Sequence, residues 1–485
     1  MEQKSNVDKS IGSTAVKRVA FQTYGCRSNY ADSVDLQTAL SERGHVPCEI
    51  DSEADVYVIN TCTVTDNADR EALRLIRKLK RERPNARVIV TGCMAEIETE
   101  ALKLMPEVDA VVGPGRKAQT IEAILEDRKE LEKFIHPSDL PLIQDSQLVQ
   151  LPYSSGRRTK KSLPERRSIS LTETISAKTP APGQALGELQ ARARYHLRVQ
   201  EGCENSCTFC IIPLSRGRLS SRPLSEVLAD IKFLSESGYG EIILTGTHLG
   251  GYGEDISSSL FELLSRVAEL QTPSRIRISS IDPNDLNKKI IDLIAKNSVF
   301  CHYLHVCVQA FSDPTLKRMN RRYRMSHVEE ILSYVKQQMP TCAIGSDVIA
   351  GFPGESRQEV DQAMETFLRL PFSYLHVFPY SERKGTAATR LTGVVDPQER
   401  KRRAARWRAL GEAKREEFIR SLLGSPVEIV VEQRGDNFLS GTSREFVQAE
   451  VICGSRDLAL YPIGSKVVAQ ASRIDSNERK LICEL

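Results

Sequence analysis

Apolar and polar positions alternate along the first hundred residues as three repeats of strand followed by helix. Lys17–Tyr24 is a β-rich run, and a helical stretch from about Ala31 to Arg43 follows it. Asp55–Asn60 (DVYVIN) precedes a helix from about Asn67 to Arg81, and Arg87–Thr91 (RVIVT) precedes one from about Ala95 to Leu104. A fourth strand is expected at Ala110–Val112. Apolar runs of this length between helices predict a parallel sheet covered on its faces.

The periodicity collapses between His136 and Leu189, where Ser, Pro, Gln, Lys and Arg dominate, and the segment 136–189 reads as a flexible linker or insertion. Its cluster Arg157, Arg158, Lys160, Lys161, Arg166 and Arg167 suits either RNA phosphates or a solvated tether. A second α/β series then has strands near Tyr195–Gln200, Glu241–Thr245, Arg275–Ser279, Tyr303–Gln309, Ala343–Ala350 and Tyr374–Pro379. Helices at Leu224–Ser237, Asn284–Ala295 and His327–Gln338 lie between them, which predicts a partial (βα)6 barrel with its functional residues at the carboxyl ends of the strands. A basic helix from Pro397 to about Leu423 closes the series; its Lys401, Arg402, Arg403, Arg406 and Arg408 fit a solvent face or an RNA contact. Beyond Gly424 the runs Val427–Glu432, Phe446–Cys453, Lys466–Ser472 and Lys480–Glu484 alternate with polar turns, as in a small antiparallel β-barrel. The expected organisation is 16–135, 136–189, 190–423 and 424–485, an α/β protein with a small all-β tail.

Composition changes this picture little, because 40% hydrophobic and 27% charged residues describe an ordinary globular chain and a net charge of +3 selects no partner. No apolar run is long enough to span a bilayer and Met1–Thr14 lacks a secretory core, so a cytoplasmic protein is expected. In that compartment the twelve cysteines are thiols or metal ligands rather than disulfides.

Two sets of cysteines stand out. Cys203, Cys207 and Cys210 follow a strand as C-x3-C-x2-C; three thiolates there can hold a cubane 4Fe–4S cluster by three irons and leave the fourth open. Structural zinc is the competing reading, but it requires a fourth ligand that the flanking loop lacks. Cys26, Cys62 and Cys93 each stand just past one of the first three strands (YGC, INTC, VTGC), so a shared sheet edge would bring them together for a second cluster. Cysteine is a common buried residue, which explains one such position more easily than three.

The C-x3-C-x2-C spacing resembles the signature of the radical S-adenosylmethionine superfamily, which implies that the open iron binds the cofactor and that one electron from the cluster yields a 5′-deoxyadenosyl radical. TYGCRSNYADS, VINTCTVTDNADR, VTGCMAE, VQEGCENSCTFCIIPLSRGRLSSRP and SGTSREFVQAEV, in that order, resemble the motifs of the methylthiotransferase family. The match runs from about Val16 to the C-terminus apart from 136–189 and makes the tail similar to an RNA-binding TRAM barrel. INTCTVTDNADR, SRGRLSSRP and EIILTGTHLGGYG look like the branch that modifies N6-threonylcarbamoyladenosine at position 37 of tRNA. The resemblance implies two 4Fe–4S clusters, S-adenosyl-L-methionine, the tRNA anticodon loop as substrate, an external electron donor and a sulfur source. The same chemistry on N6-isopentenyladenosine or on a ribosomal-protein aspartate, and a non-catalytic RNA-binding protein with structural metals, are the alternatives.

No catalytic residue is assigned beyond the cluster ligands. Gly246, Thr247, Ser279, Gln309 and Asp347, at or near the ends of barrel strands, are expected to line the cofactor, with Ser280 and Asp282 beside them. Val308-Gln309-Ala310-Phe311 departs from the family's Leu-Gln-Ser-Gly, with Phe311 in place of a glycine. His248, His302, His305 and His376 read as packing or cofactor-lining residues, and Cys48, Cys301, Cys307, Cys342, Cys453 and Cys483 as ordinary thiols.

Overall fold

The computed structural model describes residues 15–64, 66–126, 193–475 and 479–485; the 136–189 segment and its basic cluster lie outside them. The N-terminal strands β1 (Arg18–Thr23), β2 (Val46–Glu49), β3 (Val56–Thr61), β4 (Arg87–Gly92) and β5 (Ala110–Val112) form an all-parallel sheet in the order β2-β1-β3-β4-β5. Every residue of β3 and β4 is buried because helices cover both faces, which is why these strands read as continuous apolar runs. Val19, Phe21, Val58 and Ile89 meet helices Arg27–Glu42 and Lys117–Leu125 on one face. Ala20, Tyr57, Ile59, Val88 and Val90 meet helix Asp66–Glu82 on the other. The edge strand β2 and the helix Lys117–Leu125 were not expected, and the third helix is two short ones, Cys93–Ile97 and Thr99–Lys103.

The central strands are β6 (Arg194–Glu201), β7 (Ser220–Ser221), β8 (Glu241–Gly246), β9 (Arg275–Ile278), β10 (Ser280–Ile281), β11 (Tyr303–Val306), β12 (Ala343–Ala350) and β13 (Tyr374–Pro379). They pair as β7-β6-β8-β9 and β10-β11-β12-β13, parallel except for β6 with β7, and the bridge Ile276–Phe300 links the two sheets. Together they make the partial barrel, with one continuous apolar core between strands and helices. Side-chain caps set where several helices begin: Asn287 accepts the Ile290 amide at 3.1 Å, so the helix expected from Asn284 starts at Lys288. Helix Pro397–Ser421 closes the series, and its Arg403 is buried on Glu355 at 2.9 Å rather than exposed for RNA. Phe311 packs against Phe367, Phe372 and Trp407, so the departure from glycine fills an aromatic core, while the turn's positive φ falls on Gln309 (66°).

The C-terminal strands β14 (Pro426–Arg434), β15 (Phe438–Ser443), β16 (Gln448–Ile452), β17 (Lys466–Asp475) and β18 (Lys480–Glu484) close into a barrel in the order β14-β15-β16-β18-β17. Its pairs are antiparallel apart from β16 with β18. Along β17 the buried Val467, Ala469 and Ala471 alternate with exposed residues, the period that defines a one-sided strand. Phe446 starts no strand; it lies in a turn at φ 64° and packs on Tyr303 of the central barrel, ring centroids 4.7 Å apart. Beside it Arg275 donates to the Thr442 carbonyl at 2.6 Å and Arg277 to the Ser443 carbonyl at 2.8 Å. Both guanidiniums, with Arg194, converge on the fully buried Glu241. No described helix is long and apolar enough to cross a membrane.

Candidate metal centres

Strands β1, β3 and β4 are neighbours, so the segments leaving their carboxyl ends carry Cys26, Cys62 and Cys93 to one edge of the sheet. Cys62 and Cys93 are buried and Cys26 is exposed, which leaves the group open on one side. The backbone there is closely fitted. Gly25 has φ 96°, and a Cβ on it would stand 2.5 Å from Cys62 Cβ and 2.6 Å from its Sγ. Buried Asn29 donates to the carbonyls of Tyr24 at 2.8 Å and Thr61 at 2.7 Å, and Asn60 donates to the Asn29 carbonyl at 2.7 Å. Two asparagines thus lock the loops that aim the thiols.

The second triplet follows β6. The Cys203 amide donates to the Gly217 carbonyl at 3.2 Å and the Cys210 amide to the Cys207 carbonyl at 3.1 Å, folding the loop back on itself. The first two thiols have charged or polar neighbours: Arg321 Nη1 lies 3.3 Å from Cys207 Sγ, and the Asn205 amide 3.4 Å from Cys203 Sγ. Burial alone would lower the His248 imidazole, but Asp285, at 2.9 Å, and Cys203 raise it to about 10.

Burial pushes the thiols of Cys62 and Cys210 up to about 12. Without a cation these thiols therefore keep their protons, and a bound metal would have to displace them. Among the described residues only His305, Cys307 and Asp347 place three ligand atoms within 4.8 Å of one another, so both cysteine triplets are set wider than a single ion needs. A tetrahedral zinc with thiolates at about 2.3 Å would hold them roughly 3.8 Å apart. The donor sets therefore fit a cubane cluster better than mononuclear zinc.

Arg216, from helix Ile212–Arg216, joins the two centres and was not singled out from sequence. Its side chain is fully buried, with Nε 3.4 Å from Cys93 Sγ. It also donates to Asn29 at 2.5 Å, Glu201 at 2.8 Å and Asp32 at 2.9 Å. The Arg-Gly-Arg run after the cysteine loop was its only trace in the sequence.

The residues expected to line the cofactor fall at the same end of the barrel. The Thr247 and Ser279 hydroxyls are buried without a protein partner, the condition of groups awaiting a polar ligand, so they fit S-adenosylmethionine. A Cβ on Gly246 would come 2.7 Å from Gln200 Oε1 and 3.2 Å from its Cβ, so the strand end is closely packed on the Gln200 side chain. The Gln309 amide donates to the Asp347 carbonyl at 3.0 Å, linking β12 to the loop after β11. Asp347 itself faces His305, His376 and Cys307. Burial alone would raise its carboxyl, but the two imidazoles hold it well below the usual range. Of the cysteines outside the triplets, Cys307 is the one the structure places among ligand-type side chains.

Comparison with known proteins places the chain among related sequences. The profile described as "Uncharacterized protein family UPF0004" matches residues 18–113, and that of the "Radical SAM superfamily" matches 197–367. The chain is 34% identical over 417 residues to the threonylcarbamoyladenosine tRNA methylthiotransferase MtaB of Bacillus subtilis, covering 86% of this chain and 85% of that one. It is 32% identical to the MtaB of Aquifex aeolicus, over 85% of this chain and 92% of the relative. A tRNA-2-methylthio-N(6)-dimethylallyladenosine synthase of Chloroherpeton thalassium is 31% identical, over 88% of each chain.

Proposed function

Since this chain belongs to the methylthiotransferase family of radical S-adenosylmethionine enzymes, we propose that it methylthiolates C2 of N6-threonylcarbamoyladenosine at position 37 of tRNA, using two 4Fe–4S clusters. The observation that carries the reading is the buried Arg216, which ties the loop after Cys210 to Cys93, so that the two thiol triplets belong to one interface. The net change replaces an adenine C2–H by C2–S–CH3; it needs a sulfur atom, a methyl group and removal of an unactivated hydrogen. A 4Fe–4S cluster held by Cys203, Cys207 and Cys210 would supply reducing, radical-generating chemistry with S-adenosylmethionine, suited to a C–H bond that acid–base chemistry does not activate.

The chain's own residues bind and orient. Cys203, Cys207 and Cys210 would hold the cluster that binds S-adenosylmethionine, with Arg321 and His248 placing positive charge beside the thiolates. Thr247 and Ser279 would donate their unpaired hydroxyls to the cofactor, with Gly246 and Gln309 shaping the wall beside them. Cys26, Cys62 and Cys93 would hold the second cluster, and sulfur would reach it from the side of the exposed Cys26. An external electron donor and a sulfur source complete the set of partners, and the unpaired anticodon loop is the form of RNA in which a base is accessible.

Mass spectrometry of tRNA nucleosides tests the substrate. A strain lacking this protein should lose the 2-methylthio derivative of N6-threonylcarbamoyladenosine and regain it with the wild-type chain but not with Cys62→Ala. Loss of the isopentenyladenosine derivative instead would move the protein to the other branch, and no loss at all would overturn the reading. Iron analysis tests the two clusters: reconstituted protein should hold about eight irons, and replacement of Cys203, Cys207 and Cys210 by Ala should leave about four.

A further inference from the structure

Strands β11, β12 and β13 lie side by side and carry four ligand-type side chains outside both cysteine triplets. His305 is on β11, Cys307 is two residues further along the same chain, and Asp347 on β12 stands in register with His376 on β13. Side chains two apart on a strand, or opposite one another across a pair, share a face. Asp347 Oδ1 is 3.0 Å from His305 Nε2 and 3.3 Å from His376 Nδ1, and Cys307 Sγ is 3.5 Å from Asp347 Oδ2. The nitrogen, sulfur and carboxylate oxygen of His305, Cys307 and Asp347 all lie within 4.8 Å of one another.

We infer that His305, Cys307 and Asp347 form a binding site for a zinc-class divalent cation inside the central barrel, with His376 beside Asp347 at its mouth. A tetrahedral ion bound at about 2.0 Å by nitrogen and oxygen and about 2.3 Å by sulfur holds its ligands roughly 3.3–3.8 Å apart; here Asp347 stands 3.0 Å from His305 and 3.5 Å from Cys307, and His305 and Cys307 are within 4.8 Å of each other. One thiolate and one carboxylate balance the double charge, the neutral His305 imidazole is the third ligand, and the fourth position is open to water or to the exposed His376 side chain. A mixed sulfur–nitrogen–oxygen shell favours zinc over magnesium or calcium, which take oxygen.

The surroundings orient the ligands as metal sites require. His305 gives its other ring nitrogen, Nδ1, to the Tyr374 hydroxyl at 2.9 Å, which fixes the ring with Nε2 turned toward Asp347. Tyr374 is held in turn by Tyr303 at 2.5 Å, and Arg27 donates to Tyr303 at 3.2 Å. Arg321 donates to the Cys307 carbonyl at 2.8 Å and so fixes the segment bearing the thiol. His305 is buried but the His376 side chain is 49% exposed, which provides an entry path. Without the ion, these side chains would be held by a His305–Asp347 ion pair and a thiol–carboxylate hydrogen bond alone, and zinc retention separates the two states.

The test uses the full-length protein with its iron–sulfur clusters reconstituted anaerobically. Dialysed against buffered zinc, the wild-type chain should retain about one zinc in addition to its iron, and Cys307→Ala and Asp347→Asn should each retain less than about a tenth of that. Iron content and the thermal midpoint, unchanged in both variants, would show that the fold survives; a Cys48→Ser chain is the matched control. Absorption at the zinc edge should show one sulfur at about 2.3 Å with nitrogen or oxygen neighbours at about 2.0 Å. A three-sulfur shell would mean zinc in a vacant cluster site, and that result, or failure of the wild-type chain to retain zinc, overturns the inference. Zinc retained equally by Cys307→Ala would overturn it as well.

Discussion

Replacing Glu241 by Gln should undock the C-terminal barrel from the floor of the central one. Glu241 is fully buried and its carboxylate accepts from Arg194 Nε at 2.9 Å, Arg275 Nε at 2.8 Å, Arg277 Nε at 2.8 Å and Arg277 Nη2 at 2.8 Å. The same guanidiniums of Arg275 and Arg277 hold the carbonyls of Thr442, Ser443 and Arg444. Glutamine has one acceptor oxygen, and its amide donor would face the guanidiniums. Arg275 and Arg277, 1% and 0% exposed, would be left charged and poorly paired. Breaking a buried pair from one side costs about 3–5 kcal/mol. At about 1.4 kcal/mol per decade that moves the docking equilibrium by roughly two to three and a half decades. Hydrogen exchange of the amides from Gly441 to Val447 reads this directly, and their exchange should speed up by that factor while the amides of β3 and β4 keep theirs. The pH dependence has a definite sign. The three guanidiniums overcome the effect of burial and hold the Glu241 carboxyl well below 4.5. Its contribution is therefore complete above the ordinary carboxylate pKa and is lost only as pH falls through the lower folded value. The difference between wild type and variant should be flat from pH 6 to 8 and shrink in acid. Unchanged exchange at Gly441–Val447, or a difference abolished by molar salt as for a surface pair, would refute the reasoning.

Gly25→Ala should cost the N-terminal cluster site about four irons by analysis of reconstituted protein, because φ 96° and the 2.5 Å approach to Cys62 leave no room for a methyl group. Arg216→Met should lower stability by about 3–5 kcal/mol, since Asp32 and Glu201 lose a fully buried partner; a shift of the thermal midpoint measures it. Phe311→Ala should cost about 3–5 kcal/mol by emptying the space between Phe367, Phe372 and Trp407, and urea unfolding followed by Trp407 fluorescence reports it.

The parts of this molecule that were legible in its sequence are those set by period and position along the chain. Apolar runs located β1, β3 and β4, and the cysteines one to three residues beyond them converge because adjacent parallel strands share an end. β2 escaped because four residues, VPCE, carry too short a pattern to register as a strand. Phe446 escaped for a different reason: an aromatic residue ahead of an alternating run looks like strand, and only the tertiary contact with Tyr303 makes its turn conformation worthwhile. Ion pairs across the fold leave almost no trace. Glu241 opens an apolar strand and reads as a solvated end, yet it is paired in register with Arg275 and lies two residues from the position opposite Arg277. The alternation Arg-Ile-Arg-Ile in β9 was the available clue, since a barrel strand buried along its whole length has no solvent face on which to put two arginines. That clue changes the expectation for the tail. With a separable barrel, removing Ser425–Leu485 would touch only RNA binding. With Arg275 and Arg277 donating to carbonyls of residues 442–444 and Phe446 packed on Tyr303, the truncation would open the floor of the radical domain to water. Tyr303 is also the residue that Arg27, next to Cys26, holds. Loss of tRNA binding in such a truncation would therefore not by itself assign RNA recognition to the tail. Point changes on its exposed strand positions, such as Gln470 or Arg473, separate the two roles because they lie outside the face that Arg275 and Arg277 hold.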